Sequence, residues 1–203
     1  MNTPSLRRRL FGAAAAVLAA LTVGTSPAHA EITVGFNRLL VNNRTSTCLD
    51  IPEVSGAKSG DRVGVYWCSW NDNQQWEIWP TVPFPYSHAD GSTEWRQKFL
   101  IRNAAGLAGD HLCLDLPGQG GDLPNGTEIR LHTCIADDDN QEWYWDGTPG
   151  EEVLVNYQTG KCLDIDGQNW NKTDRGPKTT WLYDCWGPGG DTDDHTWHTL
   201  SQN

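Results

Sequence analysis

Cys48-Leu49-Asp50, Cys113-Leu114-Asp115 and Cys162-Leu163-Asp164 are one tripeptide written three times along the chain. Each copy is followed by a second cysteine, 20, 21 and 23 residues on, at Cys68, Cys134 and Cys185. One repeated unit therefore takes up all six cysteines, and an internal repeat has to be recognised before any other fold reasoning. The unit extends beyond its cysteines. A short apolar run precedes each tripeptide: Leu39-Leu40-Val41, Phe99-Leu100-Ile101 and Val153-Leu154-Val155. Gln74-Gln75-Trp76 and Gln141-Glu142-Trp143 close the first two units, and His195-Thr196-Trp197 closes the third.

Residues 1–30 read as an export signal. Arg7, Arg8 and Arg9 are followed by an apolar stretch from Leu10 to Val23 and by Ala28-His29-Ala30, a small-x-small cleavage site that sets the mature start near Glu31. No other apolar run approaches the roughly 18 residues of a membrane span, so no membrane insertion is expected after cleavage. An exported chain with an even cysteine count is read as disulfide-bonded. The repeat singles out the pairing in which each unit closes on itself: Cys48–Cys68, Cys113–Cys134 and Cys162–Cys185. Loops of this length are stabilised by about 3 kcal/mol each in the chain-entropy view. Zinc thiolates are the alternative, and they lack any Cys-x-x-Cys pair here.

Cleavage would remove three arginines and no acid, leaving 12 basic against 26 acidic residues. A surface of that sign repels nucleic acid and anionic membranes and leaves neutral ligands open. The mature length fits one domain, residues 31–203, with repeats at about 36–80, 98–147 and 150–200 and an insertion at 81–97. With 21 Gly and 11 Pro punctuating the chain, helical periodicity is scarce. Arg62-Val63-Gly64-Val65-Tyr66 and Glu128-Ile129-Arg130-Leu131-His132 alternate as half-buried strands do. Each unit offers about four strands, giving an all-β body with pseudo-threefold symmetry.

A repeated Cys-Leu-Asp, a second cysteine about 20 residues later and a closing Gln-x-Trp resemble the ricin B-type lectin family over residues 36 to 200. The resemblance implies a β-trefoil of three pseudo-repeats, each with one internal disulfide. Three units around an axis would share one core, to which Trp76, Trp143 and Trp197 each bring an indole. The amides of Gln74 and Gln141 would satisfy loop backbone groups, a scaffold role. In the third unit His195 stands in for the Gln, so that loop is expected to be held differently and less rigidly. The insertion between Pro80 and Lys98, with Pro83, Pro85 and Trp95, is expected to be a surface excursion, with a wall beside a site as the alternative.

A neutral sugar is bound by pairing hydroxyls with carboxylates or amides and a C–H face with an aromatic ring. The resemblance assigns these roles by position: Asp of Cys-Leu-Asp, the aromatic two residues before the second cysteine, and the residue before Gln. In unit one these are Asp50, Tyr66 and Asn73, with Asp50 expected to face solvent. Unit two gives Asp115, His132 and Asn140, a smaller ring and so a weaker or differently selective site. Unit three gives Asp164, Tyr183 and Asp194, and there an ionised His195 would pair with Asp194. The position four before the second cysteine holds Gly64, Arg130 and Trp181. The bland reading of each Asp is a turn carboxylate.

The sequence carries no Gly-x-Ser-x-Gly, no His-Glu-x-x-His and no P-loop, so neither a cofactor nor an enzyme is expected. Asp137-Asp138-Asp139 and Asp191 to Asp194 could hold Ca²⁺, but are read as solvated turns, with no metal. His88, His111 and His198 are read as surface or loop residues. The expected protein is a secreted monomer binding carbohydrate, a galactoside or a plant or microbial polysaccharide, at up to three shallow sites. The rivals are a secreted glycoside hydrolase and a non-sugar interaction protein, such as a protease inhibitor on a trefoil body.

Overall fold

A computed structural model describes residues 37–52, 57–104, 111–135, 139–148, 150–165, 178–185 and 193–201. The export signal lies outside them. Unit one contributes β1 (Arg38–Asn42), β2 (Thr47–Asp50), β3 (Gly64–Trp67) and β4 (Trp76–Pro80). The insertion forms β5 (Phe84–Ser87) and β6 (Thr93–Arg96). Unit two follows with β7 (Phe99–Asn103), β8 (Leu112–Asp115), β9 (Thr127–Glu128), β10 (Arg130–Thr133) and β11 (Trp143–Asp146). Unit three supplies β12 (Val153–Asn156), β13 (Cys162–Ile165), β14 (Lys178–Tyr183) and β15 (Trp197–Ser201).

The first and last strands of each unit close a six-stranded barrel. β1 pairs with β15 and β4, β4 with β7, β7 with β11 and β11 with β12; the Val153–Thr196 bridge joins β12 to the last turn before β15. The middle strands form three hairpins, β2–β3, β8–β10 and β13–β14. A barrel capped by three hairpins is a β-trefoil, and each unit keeps its disulfide to itself, Cys48–Cys68, Cys113–Cys134 and Cys162–Cys185.

Equivalent positions fill the core in threes. Leu40, Ile101 and Leu154 come from the first strands, and Leu49, Leu114 and Leu163 from the tripeptides; Val65, Leu131 and Leu182 come from the hairpins' return strands. The three closing indoles complete it, fully buried, and each donates its N–H to the carbonyl of its own unit's tripeptide Leu: Trp76 to Leu49 at 3.0 Å, Trp143 to Leu114 at 3.2 Å, Trp197 to Leu163 at 3.1 Å. A buried indole thus leaves no donor unpaired. Where the hairpins meet on the axis, Val63 donates its N–H to Ile129, Ile129 to Thr180 and Thr180 back to Val63, a ring of three backbone bonds at 3.1–3.2 Å.

The insertion is a β-hairpin packed on the body. Phe84 and Tyr86 meet Tyr144, Val153, Val155 and the Cys162–Cys185 pair, over the outside of unit three. Arg96 lies 3.4 Å over the Tyr86 ring and pairs with Asp146 at 2.8 Å, while Lys98 pairs with Glu142. Alternation leaves Pro85 and Trp95, which face each other across the two strands, on the outer side, with Trp95 72 % exposed. A strand of this isolated ladder tolerates a proline that cannot donate to it.

Candidate functional site

The three tripeptides end their strands in one register. Cys48 pairs with Tyr66 and Asp50 with Gly64; Cys113 with His132 and Asp115 with Arg130; Cys162 with Tyr183 and Asp164 with Trp181. Each Asp is therefore the diagonal neighbour of its unit's aromatic on one face of a hairpin, a separation of roughly 7–8 Å that long side chains can bridge. Tyr66 and Tyr183 are both 40 % exposed, and His132 is exposed too. Asp50 and Asp164 are both only 7 % exposed, and Asp115 is half-buried. The expectation of a solvent-facing Asp50 is corrected: the strand end that carries it is folded under the closing loop.

Each hairpin has a different residue opposite its Asp. At Gly64 a Cβ would stand 2.2 Å from the carbonyl oxygen of Lys178, because β14 of unit three lies against β3. Only glycine permits that approach. Arg130 turns its guanidinium to the Gly60 carbonyl at 2.7 Å and to Glu128.

The closing loops set the electrostatics. In units one and two the glutamine amide reaches back to the loop after the second cysteine. Gln74 accepts from the Ser69 N–H at 2.8 Å and donates to the Trp67 carbonyl at 2.8 Å. Gln141 accepts from Ile135 at 2.9 Å and donates to Thr133 at 3.0 Å. The preceding asparagines are buried and hold the chain just past the tripeptide: Asn73 donates to the Ile51 carbonyl at 2.9 Å, Asn140 to those of Gly118 at 2.5 Å and Leu116 at 3.4 Å.

In unit three this arrangement changes. The Nδ1 of His195 lies 3.2 Å from Asp194 Oδ1 and its Nε2 lies 3.8 Å from Asp164 Oδ1, so a carboxylate stands at each ring nitrogen. Burial disfavours the imidazolium, yet the carboxylates of Asp194 and Asp164 beside the ring outweigh it and hold the His195 pKa above its ordinary value. Unit one has the opposite character. Burial, reinforced by the charge of Asp72, pushes Asp50 up to about 6 against the smaller help of Gln74 and the Ile51 N–H.

Asp164, Asp194 and His195 bring three ligand atoms within 4.8 Å of one another. The two ring nitrogens lie nearest different carboxylates, whereas a metal ion takes one of them, so the spacing suits an ion-paired imidazolium better than an ion. Of the acidic runs considered for Ca²⁺, Asp137, Asp138 and Asp191 lie outside the described residues. His198 is on a strand, with its Nδ1 2.5 Å from Asn43 Oδ1.

Asn42, Asn103 and Asn156, which end the three apolar runs, were not singled out by sequence. Each is buried and clamps a closing segment: Asn42 donates to the Asp194 carbonyl at 2.7 Å, Asn103 to that of Asn73 at 2.7 Å and Asn156 to that of Asn140 at 3.0 Å. One unit thus positions the site residue of another. The recurring Asn after each run was the signal.

The sequence pattern of the ricin-type beta-trefoil lectin domain matches residues 36–187. The chain belongs to this lectin family. Among curated proteins the chain has no sequence match. Its fold is similar to that of the Rhizoctonia solani agglutinin, at 16% identity and TM-score 0.53, covering 85% of this chain and 100% of that one. A Polyporus squamosus lectin, solved bound to the human-type influenza-binding epitope Neu5Aca2-6Galb1-4GlcNAc, is similar at 19% identity and TM-score 0.50 over 81% of this chain and 48% of that one. A cytolethal distending toxin from Actinobacillus actinomycetemcomitans shares the fold too, at 17% identity and TM-score 0.53 over 82% and 95%. A trefoil lectin domain so built presents the same diagonal of carboxylate and aromatic on each of three hairpins.

Proposed function

We propose that this lectin-family chain is a secreted, monomeric carbohydrate-binding protein without catalytic activity, released by cleavage near Ala30. It engages neutral sugars or polysaccharide through Asp50 with Tyr66, Asp115 with His132 and Asp164 with Tyr183. The observation that carries this reading is the register shared by the three hairpins, which sets an acceptor beside a ring on one face of each. Asn73, Asn140 and Asp194 back these pairs from the closing loops. Weak sites on one body act together on a repeating polymer, where effective concentration replaces individual affinity.

A glycan array on the mature protein identifies the sugar, and titration of Asp50→Ala, Asp115→Ala and Asp164→Ala separates the sites. Loss of binding is expected at each truncated site, and Tyr66→Ala should weaken the first. Array binding that survives the triple Asp→Ala substitution, or release of reducing ends from a polysaccharide, would overturn the proposal.

A further inference from the structure

We propose that His195 is a positioning residue that makes the third site the acid-tolerant one: lodged as an imidazolium between Asp194 and Asp164, it keeps the ligand-facing Asp164 charged at a pH where Asp50 of unit one, whose charged neighbour is the anion Asp72, takes up a proton and loses its ligand. This rests on the sugar-binding reading of the two aspartates.

The geometry carries the contrast. Unit one and unit three place their Asp in the same register beside an equally exposed tyrosine, and both aspartates are buried to the same degree. Around Asp50 stand Gly64 from β3 and Asp72, Asn73 and Gln74 from the closing loop; the charged one, Asp72, is another anion. Among the described residues no Lys, Arg or His forms an ion pair with Asp50. Around His195 stand Asp194 from its own 3₁₀ turn and Asp164 from β13, while β1 contributes the neutral Asn42, bound to the Asp194 carbonyl.

A neutral imidazole brings no charge to the two carboxylates, whereas the imidazolium places one positive charge within ion-pair distance of both. With an acidic oxygen at each nitrogen, the doubly protonated ring is the form that matches its surroundings, in keeping with the raised pKa of His195. A carboxylate next to a cation keeps its charge more readily than one next to another anion. As the pH falls, unit one therefore loses an acceptor for sugar hydroxyls while unit three retains one.

The test uses the mature protein with lactose as the probe. Asp115→Asn with Asp164→Asn leaves site one, and Asp50→Asn with Asp115→Asn leaves site three. Between pH 8 and pH 5, affinity at site one should fall about tenfold, since pH 5 lies one unit below the pKa of about 6 for Asp50. Affinity at site three should change by less than about threefold, and adding His195→Gln to that variant should make it fall with pH as site one does. A parallel fall at both sites in the presence of His195 would overturn the proposal. Histidine NMR on the ligand-free protein tests the charge arrangement separately: the His195 titration should move to lower pH in Asp164→Asn, and an unmoved titration also overturns it. If lactose binds neither site at any pH while His195 responds to Asp164→Asn, the sugar reading fails and the imidazolium bridge stands.

Discussion

Unit one and unit three are built alike and charged differently. They share the strand register, the disulfide, the indole bonded to a Leu carbonyl, and a buried Asp diagonal to a half-exposed Tyr. Around that Asp they differ in the residue opposite it, Gly64 against Trp181, and in two adjacent residues of the closing loop, Asn73-Gln74 against Asp194-His195. In unit one those residues bond to main chain, so Asp50 is left with Asp72 as its charged neighbour. In unit three they turn inward and carry a titratable ring to the carboxylate. The fold therefore depends on what the units have in common, and the chemistry of each site on what they do not.

If that division holds, the core should not distinguish the two units. Trp76→Ala and Trp197→Ala should each destabilise by about 3–5 kcal/mol, since both remove a fully buried indole and leave a Leu carbonyl without its donor. Chemical denaturation checks this, and a large inequality between the two would break the comparison. The next effect is of opposite sign. Asp50 has a folded pKa of about 6 against an ordinary 3.8, so the native state prefers the protonated acid. Stability from this group is fully present below the ordinary value and is lost as pH rises through about 6. Asp50→Asn should then raise stability at pH 8 by about 3 kcal/mol and change it little at pH 3, while abolishing the first site.

Gly64→Ala should cost about 1–3 kcal/mol, because the added methyl meets the Lys178 backbone and forces β3 from β14. Thermal unfolding reads it, and Gly60→Ala, where no atom lies within 4 Å of the added Cβ but the backbone φ is +94°, reports strain without the clash. The smallest expected effect is in unit three. With the His195 pKa raised, its stabilisation is present below the ordinary 6.5 and lost as pH rises through the folded value. His195→Gln should therefore lower Tm at pH 5.5 relative to the parent and match it at pH 9.

The repeat made most of the fold legible, because the cysteines, the tripeptide and the Trp recur at fixed spacing whatever lies between them. The backbone role of Gln74 and Gln141 could also be read, since an amide before a buried indole has few other partners. The asparagine clamps were hidden: Asn42 acts on the closing loop of unit three, and no local pattern states which distant carbonyl a side chain will meet. The hairpin at 84–96 was masked by its prolines, although Phe84 and Tyr86 alternate with Pro85 as an inward face should. The pairing of His195 with Asp194 was foreseeable because they are neighbours in sequence. Its approach to Asp164 was not, because that depends on how the third hairpin folds under its loop.

The ring formed by Val63, Ile129 and Thr180 has a further meaning. Each unit brings one donor and one acceptor, and each bond runs from a unit to the next in the same rotational sense. Such an interface is heterologous yet closed: two units would leave a buried amide and a buried carbonyl open, and a fourth would find nothing left to bind. Three separate copies of one unit could satisfy the same ring as a cyclic trimer. Carrying all three on a single chain fixes that stoichiometry at any dilution, and it lets one copy exchange Gln for His without forcing the exchange on the other two.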